Sequence, residues 1–102
     1  MIITPTQIAF GLLCGYVPPM LSMKYRKLFL EEIIFDGQSQ LVKLTNIDLK
    51  YDLMEWYNYL ILNESSSFSY HGRSEMLLET AKEALKNSIW QNAVDKLNQK
   101  IG

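Results

Sequence analysis

The sequence DLKYDLMEWYNYLIL, at residues 48–62, carries the clearest structural signal in the chain. Its apolar residues recur at the spacing of one helical stripe: Leu49, Leu53, Trp56 and Leu60. Acidic side chains lie on the opposite side of the helical wheel: Asp48, Asp52 and Glu55. This periodicity predicts an amphipathic helix with a buried apolar stripe and an acidic outer face.

Helical signals also lie on both sides of this stretch. Residues 4–7, TPTQ, combine a capping threonine, a proline at the first helical position and a glutamine that completes a capping box. The following residues are apolar on every face, which predicts a buried helix that ends at Pro18-Pro19. Over residues 74–101 the apolar sector changes sides near Asn87-Ser88, where SIWQ offers a second capping box. We therefore predict two helices with a break at Asn87-Ser88.

Residues 22–47 leave two structures open. Ser22 could cap a helix, and Lys27 and Glu31 have the spacing of an i,i+4 pair, which favours a helix over residues 22–35, although apolar side chains surround its helical wheel. However, Asp36-Gly37 is a turn signal, and QLVKLT at 40–45 would serve as the return strand of a hairpin. We expect a mainly α fold, with four or five helices forming a small irregular bundle in one domain over residues 1–102. The alternative is an α+β fold with a hairpin around Asp36-Gly37.

The charge is distributed unevenly, although ten Lys and Arg against eleven Asp and Glu give a net charge of −1. Residues 1–27 carry +3, residues 28–64 carry −5 and residues 65–102 carry +1. The near-neutral total is far from the basic balance of a dedicated nucleic-acid-binding protein. It conceals an acidic middle segment, which bears on association with other molecules.

Few residues in the sequence suggest chemistry. One Cys and one His permit neither a disulfide within the chain nor a zinc site of the Cys/His kind. We expect Cys14 to be a buried, reduced thiol, and His71 to be exposed in a surface loop over the Ser-rich residues 63–72. The uncharged run at 8–21 is too short to span a bilayer, and no basic residue precedes it as in an export signal. We expect a cytoplasmic protein with no membrane partner, no metal, no cofactor and no catalytic residue.

The acidic middle segment is the surface that we expect to bind a partner. A complementary charge would speed the association of a basic protein with it. An inhibitor of the immunity or antitoxin type, which neutralises a basic toxin such as a nuclease, fits this profile, because its carboxylates would replace substrate phosphates. The candidate partner-binding residues are acidic side chains and two neighbouring tyrosines: Asp48, Tyr51, Asp52, Glu55, Tyr59, Glu31, Glu32 and Asp36.

Two other classes of function remain open. A DNA-binding regulator would use the two C-terminal helices as a helix–turn–helix. Its phosphate contacts would come from basic side chains on those helices: Lys82, Lys86, Lys96 and Lys100. Acidic residues interleave with these lysines, so we expect no nucleic-acid partner. A small enzyme would use His71 as a general base. The sequence carries no signal for an oligomeric state.

Overall fold

A computed structural model describes residues 3–101, with Lys100 and Ile101 described by their backbone alone. Within that range lie seven α-helices: α1 (Pro5–Leu13), α2 (Ser22–Tyr25), α3 (Leu30–Thr45), α4 (Leu53–Asn63), α5 (Ser65–Phe68), α6 (Ser74–Lys86) and α7 (Ser88–Ile101). Short 3₁₀ turns occur at Pro19–Leu21 and Tyr70–Gly72. Residues 3–101 form no β-strand. The predicted mainly α bundle is confirmed, with the one-turn helices α2 and α5 added to it.

Helix α1 contacts four other helices and lies at the centre of the bundle. Thr4 caps it, because Oγ1 of Thr4 accepts a hydrogen bond from the Gln7 N–H at 3.2 Å. Oε1 of Gln7 accepts in return from the Thr4 N–H at 3.1 Å. Seven of the nine residues of α1 are buried. The predicted capping box and the predicted burial are both confirmed. The predicted end at Pro18-Pro19 is wrong, because α1 ends at Leu13 and Gly15 then takes a left-handed φ of 85°.

Helix α3 occupies the position of the alternative hairpin. Gly37 lies in the middle of α3, where the helix crosses α1. A Cβ atom on Gly37 would clash with the backbone N of Leu13 and lie 2.7 Å from the carbonyl O of Ala9. Glycine is therefore needed here for close contact between two helix backbones, and it does not form a turn. The predicted helix over 22–35 is correct in type but wrong in its bounds, since residues 26–29 separate α2 from α3.

The break between the last two helices lies where the sequence predicts it. Asn87 alone separates α6 from α7, and its backbone is extended. Oδ1 of Asn87 accepts a hydrogen bond from the Ile89 N–H at 2.8 Å, so Asn87 caps α7 in place of the predicted Ser88. The indole N–H of Trp90 donates to the carbonyl O of Leu13 at 2.9 Å. This bond attaches α7 to the end of α1.

The Ser-rich segment at residues 63–72 contains α5 and a 3₁₀ turn. Phe68 is fully buried and packs edge-on against Phe10, with ring centroids 5.2 Å apart. The Gln7 amide donates to the carbonyl oxygens of Phe68 and Tyr70, both at 2.9 Å. The prediction of a surface loop is therefore wrong here, because distant contacts with α1 order a segment whose composition is that of a loop.

Candidate functional site

Helix α4 turns one side to the core and the other side outward. Leu53, Trp56 and Leu60 are fully buried, which confirms the predicted apolar stripe at these three positions. The fourth predicted member, Leu49, precedes α4 and is half-buried. We name the outward side the α4 face, and it consists of Asp52, Glu55, Asn58, Tyr59 and Leu62. Members of this face are three or four positions apart, and such residues are neighbours on a helix surface. The residues Leu53–Asn63 include no Lys, Arg or His.

Asp52 is the N-cap of α4, because the helix begins at Leu53 and not at the predicted Asp48. Oδ1 of Asp52 accepts a hydrogen bond from the Glu55 N–H at 3.0 Å. A carboxylate at this position binds a free backbone N–H and is favoured by the positive end of the helix dipole. Asp52 and Glu55 therefore place two negative charges at the first turn of α4.

Asp48 lies outside α4 and is held against α3. Its Oδ1 accepts hydrogen bonds from Nε2 of Gln38 at 2.7 Å and from the Lys50 N–H at 2.8 Å. Nζ of Lys50 lies 3.9 Å from Oδ2 of Asp48, so this charge has a basic neighbour. Lys50 has a φ of 58°, a left-handed conformation that turns the chain between Asp48 and Asp52. The prediction that these two aspartates lie one turn apart on a helix is wrong.

Asp36 lies on the opposite flank of α3 from Asp48. It accepts hydrogen bonds from the Tyr25 hydroxyl and from Nε2 of Gln40, the latter at 2.9 Å. Gln38, which holds Asp48, follows Asp36 by two positions, and residues with this spacing point to different sides of a helix. The predicted contributions of Asp36 and Asp48 therefore belong to two separate surfaces.

Glu31 and Glu32 lie in the first turn of α3, where they complement the helix dipole. Oε1 of Glu32 accepts a hydrogen bond from the Phe29 N–H at 3.0 Å. Glu31 is half-buried and lines a pocket of about 220 Å³ between α3 and α7, together with Lys96. The first turn of α3, where the helix dipole favours negative charge, therefore accounts for the positions of both carboxylates.

The two candidate tyrosines differ in exposure. Tyr51 is 7% exposed and lies in the main core, where burial and the charge of Asp48 raise its pKa. Tyr59 is half-buried and lies one turn after Glu55 on the α4 face. Sequence reasoning missed Leu62, which is 80% exposed. Its position on the helical wheel, two turns after Glu55, could have revealed it.

Two of the four lysines of the DNA-binding alternative, Lys82 and Lys96, lie near acidic side chains. Nζ of Lys82 lies 3.7 Å from Oε1 of Glu79, and Lys96 shares a pocket with Glu31. The side chain of Lys100 lies outside the described residues. Local pairing of this kind weakens the positive field on which phosphate binding depends.

Cys14, His71 and the acidic side chains form no arrangement typical of a catalytic or metal site in the described residues. Cys14 is buried, and burial raises its pKa to about 12, so the thiol stays protonated at neutral pH. His71 is exposed beside the Tyr70 ring. In the described part of the chain, no three or more His, Cys, Asp or Glu side chains are grouped as metal ligands. No helix there has the length and apolar character that crossing a bilayer requires.

No protein-family model, curated protein or solved structure matches this chain. The candidate site is therefore defined by geometry alone. Of the eight residues that the sequence suggests, Asp52, Glu55 and Tyr59 share one outward helix face.

Proposed function

We propose that this chain is a small protein-binding inhibitor of the immunity or antitoxin type. In this proposal it neutralises a basic toxin, such as a nuclease, by docking the α4 face on it, and it performs no catalysis of its own. The observation that carries the proposal is that Asp52 and Glu55 lie together on the outward side of α4, a helix whose residues include no Lys, Arg or His. Asp48, by contrast, has Lys50 beside it.

The α4 face combines charge with apolar surface, as protein interfaces do. Tyr59 offers a half-buried aromatic ring, and Tyr is enriched among residues that dominate binding energy. Leu62 lies about 10 Å from Glu55 along the helix axis, at 1.5 Å per residue. A partner could therefore bury Leu62 at one end of the face while its basic groups meet the carboxylates at the other end.

Charge complementarity supplies the mechanism of inhibition. A nuclease holds the phosphates of its substrate with Lys and Arg side chains, and carboxylates form strong charge-assisted hydrogen bonds with the same groups. Asp52 and Glu55 would occupy those basic side chains and exclude nucleic acid from them. The field of two adjacent carboxylates would also attract the partner from a distance, which raises the association rate.

Affinity capture from the native host tests this proposal with a matched pair of variants. Glu55→Lys reverses a charge on the α4 face, and Glu83→Lys makes the same change at an exposed position of α6. We expect the unchanged chain and Glu83→Lys to capture the same basic protein. Glu55→Lys should bind it at least roughly tenfold more weakly, as expected for a close interfacial charge pair.

The captured protein must also be inhibited. After purification, its nuclease activity should fall when the unchanged chain is added and recover when Glu55→Lys replaces it. Far-ultraviolet circular dichroism of both variants controls for loss of folding. An acidic partner, or a basic partner that Glu55→Lys binds and inhibits as well as the unchanged chain does, would contradict the proposal.

A further inference from the structure

A second exposed apolar surface surrounds α2, and its charge is opposite to that of the α4 face. We name it the α2 patch, and it consists of Met20, Met23, Lys24, Arg26, Lys27, Leu28 and Phe29. The side chains of Met23 and Phe29 are 74% and 72% exposed. The patch carries three positive charges, and its acidic neighbours lie at the start of α3, where Glu32 accepts a hydrogen bond from the Phe29 N–H at 3.0 Å.

A groove of about 270 Å³ opens beside the α2 patch. Its lining is mainly apolar, with Arg26 as the charged residue: Val17, Ser22, Tyr25, Arg26, Leu28 and Ile33. An apolar cavity of roughly 150 Å³ is large enough to hold benzene. The groove therefore has room for one large apolar side chain. Contiguous exposed apolar surface bordered by polar groups is typical of an interaction site.

The α4 face has the properties that complement this surface. It presents two carboxylates and one exposed leucine, whereas the α2 patch presents three cations and an apolar groove. Both surfaces are exposed, so they do not cover one another within a single chain. A second copy of the chain brings the α4 face to the α2 patch with matched charge and matched apolar surface.

We propose that the α2 patch binds the α4 face of a second copy of this chain. Leu62 of the second copy enters the groove, and its Asp52 and Glu55 lie against Lys24, Arg26 and Lys27. The contact is head-to-tail, because each copy uses two different surfaces. It goes beyond the proposed function, since it needs no foreign partner. The contact also covers the α4 face, so a basic toxin must compete with the second copy for it.

Sedimentation velocity of the purified chain alone tests the contact over a range of protein concentrations and at low and high salt. We expect association that increases with concentration and weakens as salt screens the charges. Lys24→Glu on the α2 patch and Glu55→Lys on the α4 face should each weaken association at least roughly tenfold. Leu62→Ser, which removes the apolar group, should weaken it also, whereas Glu83→Lys should leave it unchanged.

Mixing two variants tests the head-to-tail geometry. The Lys24→Glu chain retains an intact α4 face, and the Glu55→Lys chain retains an intact α2 patch. An equimolar mixture should therefore associate at a concentration at which each variant alone is monomeric. A mixture that stays monomeric, or an unchanged chain that stays monomeric at every concentration and salt, would overturn the proposal.

A different occupant would give a distinct result. Binding of a monomeric chain to phosphatidylserine vesicles, lost in Lys24→Glu, would assign the α2 patch to an anionic lipid surface and overturn the contact with a second copy. Lys24→Glu also separates this contact from the proposed function, because binding of a basic partner does not require the α2 patch. Lys24→Glu retains the α4 face and loses the competing second copy, so it should capture the basic partner at least as well as the unchanged chain does; weaker capture by Lys24→Glu would count against the proposed function alone.

Discussion

Gly37→Ala tests the close contact between α1 and α3. In the interior of an exposed helix, this exchange stabilises by about 1 kcal/mol, because alanine has the higher helix propensity. At Gly37 the new Cβ would clash with the backbone N of Leu13 and lie 2.7 Å from O of Ala9 and 2.8 Å from C of Leu12. These are backbone atoms of α1, so no side-chain rotation relieves the clash.

Two opposing effects determine how much Gly37→Ala changes the free energy of unfolding. Overpacking a close-packed contact costs about 1–3 kcal/mol, and we take about 3 kcal/mol here because two helix backbones must move apart. After the gain of about 1 kcal/mol in helix propensity, we expect a net loss of about 2 kcal/mol in the free energy of unfolding. A loss of this size lowers the melting temperature by about 8–16 °C in a chain of this length.

Gly11→Ala is the matched control, because Gly11 lies in α1 and a Cβ there has its nearest neighbour, Cδ2 of Tyr16, at 3.6 Å. That distance is an ordinary contact, so this variant should be as stable as the unchanged chain or more stable. Thermal and urea unfolding followed by far-ultraviolet circular dichroism measures both variants. A Gly37→Ala variant that melts at or above the unchanged chain would refute the close-packing explanation.

Two further predictions concern single side chains. Asp52→Ala should lower the free energy of unfolding by about 1 kcal/mol, because the N-cap of α4 is lost, whereas Asp52→Asn should retain it. Equal losses in urea unfolding would argue against the cap. Burial raises the pKa of Cys14 from 9.0 to about 12, so the unfolded chain releases this proton at lower pH than the folded chain. The free energy of unfolding should therefore fall as pH rises from 9.0 to about 12, and an equally steep fall in Cys14→Ala would contradict this.

Features that depend on neighbours in the sequence could be predicted. The capping box of Thr4 and Gln7, the stripe of Leu53, Trp56 and Leu60, and the break at Asn87 all involve residues within a few turns of one another. Local spacing decides these features, because hydrogen bonds within a helix and its amphipathic faces repeat with its pitch.

Features that depend on distant contacts could not be predicted. A glycine that permits a turn and a glycine that permits close packing look identical in sequence, and the crossing with α1 decides between them at Gly37. Phe68 is buried by α1, although its neighbours are serines. The position of Asp48 depends in the same way on Gln38, a residue of a different helix.

The candidate site was predictable in part for the same reason. Helical periodicity places Glu55 and Tyr59 on one side of α4, and it would also have placed Leu62 there. It fails at Tyr51, because the helix begins only at Leu53 and the preceding turn directs Tyr51 into the core. The exposed α2 patch depends on how α2 ends before α3, which the apolar pattern of residues 22–35 does not reveal.

The association rate of the chain with its purified basic partner tests the central claim most directly. Stopped-flow measurements at rising ionic strength should show a rate constant that falls by roughly tenfold or more, because salt screens the attraction between opposite charges. At low salt, Glu55→Lys should associate more slowly than the unchanged chain, and Glu83→Lys should associate at the unchanged rate. An association rate that is independent of ionic strength, or that Glu55→Lys leaves intact, would contradict docking through the α4 face.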